Sequence, residues 1–177
     1  MRRYLIYLFY FLIAALTVSW QLVSINSWAP GYNHLNIVLI LVLVFWLSLD
    51  WKKGVLMAAA CGLIMDFLSF EFFGAYTLSL VLTVVLVDFL SVNWLTNRSF
   101  YSLWFLSLLG VGIYNFSLYL IFYLGRSTAN RYFFLANGNF WLGLAWELVW
   151  AASIIFFFLV FFGSKIPKLR PVFLERK

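Results

Sequence analysis

In 177 residues the chain holds one histidine, one cysteine and three prolines, and only 10% of its residues are charged. Each shortage removes a class of chemistry. The lone Cys61 has no second thiol for an intramolecular disulfide, a CxxC redox pair or a zinc ribbon, and within an apolar run it reads as a small packing residue. The lone His34 cannot build an HExxH helix. With no Cys, Asp or Glu close by in sequence, a loop or interface role is expected for it rather than metal ligation. A phosphate-binding glycine loop and a Ser-His-Asp set are both missing, so a non-catalytic protein with no cofactor and no metal is expected.

What the chain has instead is apolar bulk. Hydrophobic residues make up 66% of it and aromatic residues 23%, with a mean hydropathy of +0.99. The apolar residues come in long runs rather than amphipathic stripes, which predicts an all-α polytopic membrane protein with no separate soluble domain. The formal charge of +6 comes from basic residues at the ends of these runs rather than on one face. They read as topology signals, and nucleic acid is not expected as a partner.

Six spans are expected in a single integral membrane domain covering 1–177. Residues 4–23 follow Met-Arg-Arg and read as an uncleaved signal anchor. Residues 24–34 contain Pro30 and Gly31 and form the first outer loop. Then come spans at about 35–49 and 54–68. The latter has roughly 15 residues, about 22 Å of helix against a hydrocarbon core of about 30 Å, so thinning of the bilayer or shielding by neighbours is expected. Residues 75–95 carry Thr77, Ser79, Thr83 and Asp88, and residues 101–124 carry Gly110, Gly112 and Asn115. The longest loop, 125–139, leads to residues 140–162, and 164–177 is a basic tail.

Lysine and arginine set the orientation. With the N-terminus inside, the inner side holds Arg2, Arg3, Lys52, Lys53, Arg98, Lys165, Lys168, Arg170, Arg176 and Lys177, and the outer side only Arg126 and Arg131. Both termini are therefore expected in the cytoplasm. Trp28, Trp46, Trp51, Trp94, Trp104 and Trp141 fall near span ends, where an amphipathic ring is favoured. Trp146 and Trp150 flank Glu147 inside the last span, and that helix is expected to turn its glutamate and aromatics toward other helices.

The stretch 51–77 concentrates the unusual residues. Gly54, Ala58 and Gly62, four apart, return to nearly the same helix face and make a ridge that another helix can approach closely. That helix is either a neighbour in the same bundle or a partner's. Asp66, one turn further, is either solvated at the interface or turned toward protein, where it would pin the turn from Ser69 to Gly74. Glu147 and Asn115 lie at similar depths, roughly 10 to 14 Å from the outer ends of their spans, so a polar clasp joining them, with Tyr114 as another candidate partner, is expected. Asp88 is expected near the inner side, within reach of Lys52 or Lys53. Asp66, Asp88 and Glu147 stand on different helices at different depths with no histidine between them, which argues against a proton relay.

The run Gly62-Leu63-Ile64-Met65-Asp66-Phe67-Leu68-Ser69, followed by Gly74 and preceded by Gly54 and a basic pair, resembles the MreD family of bacterial rod shape-determining membrane proteins. Glu71-Phe72-Phe73 departs from the small turn residues usual there. The resemblance implies a multi-pass protein of the bacterial inner membrane with six helices, similar in fold to the substrate-binding components of energy-coupling-factor vitamin transporters. It also implies a scaffold of the cell-elongation machinery that binds an MreC-like bitopic protein. Through it the scaffold would help couple MreB filaments to the peptidoglycan synthase RodA and its class B penicillin-binding partner. Membrane lipids are further expected contacts. Two other readings stay open. One is a vitamin-transporter substrate-binding component, with Tyr32, Asn33, His34, Asn130 and Tyr132 around a ligand; the other is a lipid-handling membrane enzyme.

Overall fold

The computed structural model describes residues 2–24, 35–49, 51–69, 73–93, 100–125 and 138–162. Among them are six helices: α1 (Arg2–Ser24), α2 (Ile37–Ser48), α3 (Trp51–Leu68), α4 (Ala75–Asn93), α5 (Phe100–Gly125) and α6 (Gly138–Phe162). Their ends fall within three residues of those expected from hydropathy. Three helices are long and apolar enough to cross a membrane, at Ala75–Asn93, Phe100–Leu124 and Trp141–Phe162.

The short helix is not the one expected. α3 has 18 residues, about 27 Å of rise, because Trp51, Lys52 and Lys53 continue the helix instead of preceding it. Lysine is a good helix former, and the break falls earlier, at Leu49, whose backbone is extended. α2 instead has only 12 residues, about 18 Å.

α2 is the axis of the bundle. It packs against each of the other five helices, which follow one another around it in the order α1, α3, α4, α5, α6. Val38, Leu39, Val42, Leu43, Trp46 and Leu47 of α2 are completely buried. A helix that is apolar all round is suited to such a central position, since no side of it needs water. The outer helices bury one face each. In α6 that face recurs every fourth residue, at Gly143, Glu147, Ala151, Ile155 and Leu159, while Phe157, Phe161 and Leu142 point away from the bundle.

The ridge on α3 is buried inside this bundle. A Cβ on Gly54 would lie 3.2 Å from the Trp46 backbone of α2, and one on Gly62 would lie 2.4 Å from Thr77 Cα of α4. Ala58 between them has no exposure, and buried Cys61 is a free thiol beside them. Close approach of helix backbones, the usual use of small residues in lipid, thus takes place here between neighbours in one chain.

Candidate functional site

At one end of the bundle five helices bring polar groups together. α3 contributes Asp66, α4 Tyr76 and Thr77, α5 Tyr114 and Asn115, α6 Glu147, and the start of α2 Asn36. Lys52 and Lys53 stand at the start of α3, at the opposite end of that helix from Asp66.

Asp66 is 5% exposed, so it is turned into protein rather than solvated. Its Oδ1 accepts the Tyr76 N–H at 3.0 Å, and its Oδ2 accepts the Thr77 N–H at 3.1 Å and the Thr77 hydroxyl. Tyr76 and Thr77 are the second and third residues of α4, whose first N–H groups have no partner within the helix. A carboxylate there satisfies those donors and faces the positive end of the helix dipole. The chain reverses between the two helices through Gly74, at φ +93°, and the Gly74 carbonyl accepts the Leu78 N–H at 2.9 Å. Phe67 and Phe73 meet edge to face across the turn at 5.2 Å. Gly62, Asp66 and Gly74 therefore form one device that sets α4 against α3. Ser69 extends the last turn of α3 through its N–H to the Met65 carbonyl, and its buried hydroxyl has no partner.

Asn115 donates its amide to Glu147 Oε2 at 2.7 Å, joining α5 to α6, and donates also to the Val111 carbonyl at 3.0 Å. Tyr114, 3% exposed, stands in electrostatic contact with Asn36, Glu147, Tyr76 and Asp66. The Asn36 side chain adjoins Glu147 as well, yet Glu147 Oε1 is shut off from solvent and forms no hydrogen bond. No group of three or more His, Cys, Asp and Glu side chains among the described residues is placed to hold a metal ion.

Asn36 was not foreseen as part of this cluster. An Asn directly before an apolar run is a helix-start signal, and Asn36 Oδ1 does accept the Leu39 N–H at 3.1 Å. Gln21 of α1 adds a second cap by accepting the Val38 N–H at 2.9 Å.

The expectations for two tryptophans, Trp46 and Trp146, require correction. Asp88 accepts a hydrogen bond from Trp46 Nε1 at 2.9 Å, which joins α4 to α2. Trp46 has no exposure, so it is a core residue rather than an interfacial ring. Trp104 donates its indole N–H to the Ala152 carbonyl at 3.0 Å and ties α5 to α6. Trp146 is 46% exposed, because one residue's step turns it about 100° from inward-facing Glu147. His34, Tyr32, Asn33, Glu71, Asn130, Tyr132, Trp28, Trp94, Arg98, Arg126, Arg131 and the tail 164–177 lie outside the described residues.

A second feature lies on the outside of the bundle. A groove of about 590 Å³ runs between α4 and α5, lined by Leu78, Leu82 and Leu86 on one side and Leu109, Ile113 and Phe116 on the other. Gly112 opens onto it, and a Cβ there would meet nothing within 4 Å.

The described residues define an all-helical protein with three helices long and apolar enough to cross a membrane and with a buried polar cluster. Comparison with known protein families, with curated protein sequences and with solved structures finds no match.

Proposed function

We propose that the chain is a multi-pass protein of the bacterial cytoplasmic membrane, with six spans and both termini inside. We further propose that it is a non-catalytic scaffold of the cell-elongation machinery, of the MreD type. In this role it binds an MreC-like bitopic protein and helps link MreB filaments to RodA and its class B penicillin-binding partner. The observation that carries the reading is that Gly62, Asp66 and Gly74, which bear the resemblance, act together as the α3–α4 device. The ridge of Gly54, Ala58 and Gly62 is occupied within the bundle, so a partner helix would meet an outer face of the protein instead.

Pull-down of the full-length protein from native membranes tests this. Recovery of a bitopic coiled-coil protein supports the scaffold, and recovery of transporter ATPases without one overturns it. The second reading, a substrate-binding component with a fold similar to those of energy-coupling-factor transporters, is favoured by the polar cluster, where five helices converge on a carboxylate oxygen without a partner. A vitamin detected by mass spectrometry in the purified protein would favour that alternative.

A further inference from the structure

We draw no further inference here: the strongest candidate, the apolar groove on the outside of the bundle between α4 and α5, onto which Gly112 opens, carries nothing, because nothing in the structure shows what covers it.

Discussion

At the scale of single residues, two glycines of like appearance in the sequence have opposite surroundings. Gly62 leaves no room for a methyl group, since its Cβ would press on the Thr77 backbone at 2.4 Å, whereas Gly112 faces open space. Gly62→Ala is therefore expected to destabilise the protein by about 1–3 kcal/mol, the usual cost of overpacking, as measured by unfolding in mixed detergent micelles. Gly112→Ala in the same assay should be neutral or stabilising by up to about 1 kcal/mol, the difference in helix propensity. Asp66 allows a similarly graded test. Asp66→Asn retains an acceptor for one N–H of α4 and should cost about 1 kcal/mol, whereas Asp66→Ala leaves three donors without their partner and should cost about 3 kcal/mol. Equal losses in these two variants would remove Asp66 from its place as the cap of α4.

At the scale of the helix, the joint between α5 and α6 rests on two kinds of contact. One is polar, Asn115 to Glu147; the other combines the Trp104 indole with the edge-to-face pairs Phe100–Phe156 and Trp104–Phe156. Glu147→Gln should keep the joint, and Glu147→Leu should lower stability by about 1 kcal/mol, in line with interhelical hydrogen bonds in membranes. Equal stability of the parent and both variants would show that the joint does not depend on this bond. The meeting of Asn115 and Glu147 was legible in the sequence because depth can be counted from span ends. The central place of α2 was not. A run such as Ile37–Ser48, apolar on all sides, has no polar face from which its orientation can be read, and Trp46 at its end resembles an interfacial ring. Only the packing of Gly54 against Trp46 and the bond to Asp88 distinguish a core indole from one at the lipid boundary. The Asp66 cap was half legible: the acid and the turn could be seen, but the register that sets Tyr76 and Thr77 opposite it required the fold.

At the scale of the whole molecule, helix positions follow directly from hydropathy, since lipid demands long apolar segments with their backbone bonds satisfied internally. Orientation depends on basic residues, most of which lie outside the described helices. A fluorescent protein fused after Lys177 is expected to mature in the cytoplasm, and alkaline phosphatase at the same position to remain inactive. An active phosphatase there would contradict the six-span topology.

The position of α2 has a consequence for biosynthesis. Among the described helices it is made after α1 alone, yet its buried surface is completed only when α6 arrives. An apolar cylinder can wait in lipid without penalty, whereas the partners of Glu147 and Asn115 must be separated by a completed helical hairpin before they meet. The Asp66 cap joins residues only 10 and 11 positions apart and can close as soon as α4 leaves the ribosome. Assembly is then ordered by the chain itself, with the α3–α4 hairpin closing early and the polar cluster sealed only once α6 has been made.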